Sequence, residues 1–192
     1  MSMLRLLLCA LMPLWLLACA HAPPASTKAV SAPELPRLRM TPAALGQSVS
    51  LQQRLEFRIG GQSRVLDGLL EVDAEAVRLV VQALGQPGVR LVWDGERLEQ
   101  RRAPWLPSAV RGERVLDDLQ FALWPAEAIR QVLPPGWSLR DDGRVRELEA
   151  GGHAWLVLER LDDRRLQLHN RAEGYSLLIT SAQSLPSTEA GP

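Results

Sequence analysis

The sequence predicts a mainly β protein with a small α component: a curved antiparallel sheet, or incomplete β-barrel, of about ten strands covered by two short helices. Three observations carry this expectation. Short segments of alternating apolar and polar residues recur along most of the chain. Glycine and Asp-Gly turn signals separate them. One mid-chain stretch changes to helical spacing between prolines. Sequential strands in such number must curl, and the helices can bury their apolar sides only against the concave face.

The N-terminal residues 1–19 read as an export signal outside the sheet. Arg5 supplies a positive charge, and Leu6 to Leu17 supply about twelve mostly apolar residues, as in a signal peptide. A membrane-spanning helix needs about 20. Leu16-Leu17-Ala18-Cys19 matches a bacterial lipobox, which predicts a signal peptide over residues 1–18 and acylation of Cys19. The alternative is an ordinary secretory signal with a chance cysteine. Two or three acyl chains would anchor the protein stably, at about 0.8 kcal/mol per buried CH₂. By the sorting rule for such lipoproteins, Ala20 rather than aspartate after the cysteine favours the outer membrane, here its periplasmic leaflet. Residues 19–36, rich in Pro, Ala and Ser, then read as the lipidated cysteine and a flexible tether.

The domain is expected over residues 37–182. Its first strand, 48–59, places Val49, Leu51, Leu55, Phe57 and Ile59 on one face and Ser50, Gln52, Arg54, Glu56 and Arg58 on the other. Gly60-Gly61 turns the chain into strands at 64–72 and 77–84, the latter carrying Leu79 and Val81. Gly85-Gln86-Pro87-Gly88 reads as a break before a strand with Val89, Leu91 and Trp93 on one face. Asp94-Gly95 turns it into a strand at 96–101.

From Val115 the apolar residues Leu116, Leu119 and Leu123 recur at helical spacing, with Phe121 and Trp124 on a second side. This helix should therefore be nearly surrounded. Asp117 and Asp118 read as first-turn carboxylates that suit the helix dipole. Pro125 opens a second helix with Ile129, Val132 and Leu133 on its buried side, and Pro134-Pro135-Gly136 ends it. Strands follow at 137–140, 145–149, 154–160, 166–170 and 175–180, and residues 183–192 read as a disordered tail.

These residues carry a resemblance. The lipobox, the opening strand, Leu84-Gly85, Trp93-Asp94-Gly95 and the helix 116–124 resemble the LolA/LolB lipoprotein carriers at the level of fold. Leu35-Pro36-Arg37-Leu38, Gln53-Arg54-Leu55, Asp117-Asp118-Leu119-Gln120, Leu123-Trp124-Pro125 and Gly174-Tyr175-Ser176-Leu177 resemble an uncharacterised proteobacterial outer-membrane lipoprotein family associated with aryl-polyene clusters, over nearly the whole domain. The first resemblance implies an incomplete barrel with a hydrophobic cavity for acyl chains. It also implies a protruding loop with an exposed leucine that faces the membrane, and Leu84 holds that position.

Composition narrows the functional classes. Apolar and charged fractions of 46% and 23% are those of an ordinary globular core. Lys+Arg and Asp+Glu balance at 22 each, which removes the broad positive field of a nucleic-acid binder. Both cysteines, Cys9 and Cys19, lie in the signal region, so the domain has no thiol for a disulfide, a zinc cluster or a nucleophile. His153 and His169 lack a partner at metal-ligand spacing, and Asp141-Asp142 and Asp162-Asp163 read as turn residues. No phosphate-loop, nucleophile-elbow or zinc-protease motif is present. The expectation is a non-enzyme without cofactor or metal.

Val49, Leu51, Leu55, Phe57, Ile59, Leu79, Val81, Leu91 and Trp93, with Leu116, Leu119 and Leu123 from the helix, line either a ligand cleft or a packed core. Trp105 and Leu106, between prolines, read as a lipid-facing tip or as a plug folded onto the core. Arg101, Arg102, Arg111 and Arg114 read as a headgroup-attracting patch or as a solvated face. The expected function is that of a monomeric, outer-membrane-anchored lipoprotein whose cleft binds acyl or polyene chains. Its cargo would be lipoprotein or aryl-polyene lipid bound for the outer membrane. The alternative is a non-catalytic accessory lipoprotein that docks on an envelope assembly complex.

Overall fold

The structure is a computed structural model that describes residues 32–106 and 110–185. Cys19, the signal peptide, the tether up to residue 31 and residues 186–192 lie outside the described residues.

Ten antiparallel strands form one open sheet: β1 (Val49–Ile59), β2 (Gln62–Val72), β3 (Val77–Ala83), β4 (Gln86–Trp93), β5 (Leu98–Arg102), β6 (Trp137–Asp141), β7 (Val145–Ala150), β8 (His153–Arg160), β9 (Arg165–Asn170) and β10 (Tyr175–Ser181). The order is β5-β4-β3-β2-β1-β10-β9-β8-β7-β6. The chain starts at the centre, steps outward to the β5 edge, crosses to the β6 edge and steps back until β10 pairs with β1. Every other neighbour pair is a sequential hairpin. The crossing carries the helices α1 (Gly112–Leu123) and α2 (Ala126–Val132).

One face of the sheet holds the core. The register sets Leu55 opposite Leu66 and Ile179, and Leu79 opposite Leu70 and Leu91, so apolar side chains form continuous rows across the strands. The other face carries Arg54, Asp67, Arg78, Arg90 and Gln167 among apolar residues such as Leu69 and Leu178. This is the wet and dry alternation that the sequence predicts.

The β3–β4 connection differs from expectation. The turn is Leu84-Gly85 alone, with φ of 50° and 74°, and β4 begins at Gln86. Positive φ at both central residues marks the tight hairpin turn whose twist suits its strands. Pro87 is accepted inside β4 because the register shifts at Val81/Gln82, where Pro87 faces Gln82.

Helix α1 starts three residues before Val115, so Asp117 and Asp118 sit in mid-helix and are buried instead of facing solvent in a first turn. Arg111 at its N-cap makes no side-chain capping bond, so the sequence carries no start signal there. Pro125 caps α2, and Ile129 is buried as expected. Val132 is exposed, a correction to the buried side read for α2: the helix ends at that residue.

Packing begins at Leu35. Leu35, Leu38 and Met40 are buried in an extended strap that leads into a single 3-10 turn, Pro42–Leu45. The strap's backbone is held by side chains from far along the chain. Leu38 N–H donates to Asp117 Oδ1 at 3.1 Å, and Met40 N–H to Gln120 Oε1 at 3.1 Å. Gln120 Nε2 and Trp93 Nε1 both donate to Met40 O, at 2.7 and 2.8 Å. Trp124 Nε1 donates to Thr41 O at 3.1 Å. At the other end Leu185 is buried and its N–H donates to Asp163 O at 2.7 Å, so residues 183–185 are tied to the sheet.

Candidate functional site

Between α1 and the sheet lies a cavity of about 110 Å³. Its walls come from β1, β2, β3, β4, β9, β10, α1 and the segment before α1. Of the residues expected in a cleft, Leu55, Phe57, Leu79, Val81, Leu119 and Leu123 line it. Val49, Leu51, Ile59, Leu91, Trp93 and Leu116 lie outside the lining, in or against the packed core. For Trp93 the reason is explicit: its indole is committed to the strap through Met40 O.

Sequence reading missed the far wall. Leu166 and Leu168 of β9, and Leu177 and Ile179 of β10, line the same cavity. Their alternation was as clear as that of β1. What was hidden was the pairing of β1 with β10, which brings chain ends more than a hundred residues apart side by side. Leu66, Val89, Val110, Val115 and Ala122 complete the apolar wall.

Phe57, Val110, Val115, Leu119, Leu177 and Ile179 line the cavity yet remain only half-buried. The sheet contributes three of them and the helical side the other three. At this place α1 leaves the inner face incompletely covered. Native interiors normally contain few voids larger than a water molecule.

Leu106 is buried and forms part of the wall, so it acts as a plug, whereas Trp105 lies half out of the surface against Gly88. A Cβ at Gly88 would stand 2.9 Å from the Trp105 ring, so only glycine admits that approach. Arg102 donates through Nε to Val110 O at 2.8 Å and through Nη2 to Leu106 O. It pins both ends of the segment before α1. Arg101 and Arg111 are exposed. Arg114 is buried, a correction to its reading as part of a solvated or headgroup-facing patch: the earlier helix start turns it inward.

A polar cluster forms part of the cavity wall. Arg111, Arg114, Asp118 and Tyr175 contribute to the lining. Glu173 Oε1 accepts from Arg111 Nη2 at 2.9 Å and stands 3.0 Å from Arg114 Nε. Arg114 Nη1 lies 3.8 Å from Asp117 Oδ2. Tyr175 donates its hydroxyl to Asp118 Oδ2. Burial pushes the Asp118 carboxyl up to about 7, against the opposing pull of the Tyr175 hydrogen bond and Arg114. Burial, then the neighbouring Asp118 charge, raises Tyr175 as well.

Leu84 is wholly exposed at its hairpin tip, outside the cavity lining. His153 is exposed with Nδ1 2.9 Å from Gly151 O. Asp142 and Asp162 accept backbone N–H groups of their own turns, as expected of turn residues. Asp141 also pairs with Arg146 at 2.6 Å. Among the described residues, no group of three His, Cys, Asp or Glu side chains could hold a metal ion, and no helix is long and apolar enough to cross a membrane.

A family model whose description is "Protein of unknown function (DUF3261)" matches residues 50–183, from the start of β1 to just past β10. No curated protein matches the chain.

Proposed function

The chain belongs to the DUF3261 family of proteins of unknown function, and we propose that its domain is a non-enzymatic carrier that takes acyl or polyene chains into the cavity beneath α1. In this reading acylated Cys19 tethers it to the periplasmic leaflet of the outer membrane, and its cargo is lipoprotein or lipid bound for that membrane. The observation that carries the reading is the half-buried apolar lining supplied jointly by sheet and helix around unfilled space.

Magnitudes set the terms. A cavity of about 110 Å³ approaches the roughly 150 Å³ of an engineered apolar cavity that stays dry and binds benzene. Pockets for whole ligands run to about 300–1,000 Å³. The closed form therefore holds a chain end, and a full chain requires α1 to give way. About seven buried methylenes at ~0.8 kcal/mol each supply about 5.5 kcal/mol. That would carry an opening equilibrium from about 1:99 to 99:1.

Two further features support this reading. Strands lie about 4.8 Å apart, so β4 and β9, five steps away from each other, would be roughly 24 Å apart in a flat sheet. Both line one cavity, as they would in the incomplete barrel of the LolA/LolB carriers. Leu84 holds a left-handed backbone conformation that Gly or Asn adopts more easily, and it packs against nothing. A role at the membrane surface during cargo transfer accounts for a leucine there.

The test is mass spectrometry of lipid extracted from the full-length protein purified from its native membrane, beside Leu119→Trp. The carrier reading expects near-stoichiometric chain-bearing lipid on the unmodified protein, beyond that bonded to Cys19, and its loss from the variant. Absence of such lipid from the unmodified protein would overturn it.

A further inference from the structure

An apolar chain leaves a polar group of the cavity wall unsatisfied. Asp118 lines it and is 9% exposed. Its Oδ2 accepts the Tyr175 hydroxyl, while its Oδ1 is buried and receives no hydrogen bond among the described residues. A buried polar atom without a partner costs about 1–3 kcal/mol, and more when charged. Native structures rarely tolerate one without a reason.

The surrounding charges limit what could satisfy it. Arg114 stands between Asp117 and Glu173, and Arg111 shares Glu173. Both guanidinium groups are ion-paired with these carboxylates, although Arg114 Nε, like Asp118 Oδ1, is buried without a hydrogen bond. A carboxylate or phosphate head would meet an acidic cluster and could not donate to Asp118. A hydroxyl can. It donates to the ionised carboxylate, and it accepts from the protonated acid, so it serves either state of a group that burial brings close to neutrality.

We propose that the cavity selects chains that end in an uncharged hydroxyl, such as a long-chain alcohol or an acylglycerol, with that hydroxyl bonded to Asp118 Oδ1. The proposal rests on the chain-binding reading above and adds the identity of the head group. Tyr175 acts as the positioning residue that holds the carboxyl through Oδ2, so that Oδ1 is the oxygen left without a partner.

The experiment, run well above pH 7 so that Asp118 is ionised and only a donor can bond to it, is displacement of the neutral dye N-phenyl-1-naphthylamine from the full chain by 1-decanol, methyl decyl ether, decanoate and decylammonium. A hydrogen bond to a charged group corresponds to roughly tenfold or more. Decanol should therefore displace the dye at least about tenfold more tightly than the ether, and more tightly than either ion. In Asp118→Leu, with folding checked by thermal unfolding, the ether should still bind while the alcohol's advantage disappears. The ranking in the unmodified protein decides the matter even where that variant does not fold. Equal displacement by alcohol and ether, or preference for either ion, overturns the head-group assignment and leaves the chain-binding reading standing. Failure of the dye and all four compounds to bind overturns both.

Discussion

Arg146 projects from β7 onto the inner face, is 3% exposed, and joins three elements. Its Nη1 donates to Phe121 O at 2.6 Å and Trp124 O at 2.8 Å, and its Nε donates to Asp141 at 2.6 Å. The final carbonyls of α1 have no partner within the helix, and a cation there also suits the helix dipole. Arg146→Met strands Asp141 and both carbonyls, so it should lower stability by about 3–5 kcal/mol in urea unfolding. Asp118 imposes a pH dependence whose sign follows from its raised folded-state value of about 7 against the ordinary 3.8. Between these values the folded chain keeps a proton that the unfolded chain has released, so stability falls as pH rises from about 4 to about 7 and then levels off. Asp73, Asp94, Asp142 and Asp162, held below the usual carboxylate range by turn hydrogen bonds and, for Asp73, first by Arg78, give the opposite slope at lower pH. Urea midpoints between pH 4 and 8 should decline in the unmodified protein and decline less in Asp118→Asn, where Asp117, also raised by burial, keeps the remainder of the slope. The turn roles of these aspartates were legible because the signal is local. The roles of Arg146, Asp117 and Asp118 were not, because each depends on a partner brought from another element.

The strap and α1 behave as one element. Gln120 is fully buried, and its amide both accepts from and donates to the Met40 backbone, as a neighbouring strand would. Gln120→Leu keeps the volume but leaves the Met40 N–H without a partner and weakens the bonding of its carbonyl. It should cost about 2–4 kcal/mol in chemical denaturation, at about 1–3 kcal/mol for each unsatisfied group. Composition concealed this arrangement. A Pro-, Ala- and Ser-rich stretch looks like a linker up to residue 36, until Leu35 is buried and a helix some eighty residues later bonds its carbonyl through Arg114 Nη2 at 3.4 Å. Helix α1 was recognisable from Leu116, Leu119 and Leu123, but its first turn was not, since Gly112 is a poor helix former and Arg111 makes no cap. Most strands were legible to within a residue or two because one wet and one dry face demand alternation. The β4 start was misplaced because Gln86-Pro87 reads as a breaker, and only the register shift that leaves Gly88 of β4 unpaired opposite Val81 and Gln82 makes room for it.

At the scale of the whole molecule, the central β1–β10 pair determines where everything else lies. It makes the first five strands and the last five into two wings of one sheet, and it requires the link between the wings to cross from edge to edge with its helices. Sequence reading placed the helices over the apolar face, yet it could locate only the part of the cavity built from β1, β3 and α1. The β9 and β10 wall depends on which chain ends meet, and periodicity within a strand is silent about that. The central claim is that the space enclosed here is a binding site and not a packing defect. Leu119, half-buried on the cavity side of α1, offers the most direct test. Equilibrium binding of N-phenyl-1-naphthylamine should be saturable in the unmodified protein and at least about tenfold weaker in Leu119→Trp, with the thermal midpoint changed by only a few degrees. Unchanged dye affinity in a folded Leu119→Trp, or no saturable binding in the unmodified protein, would contradict the account.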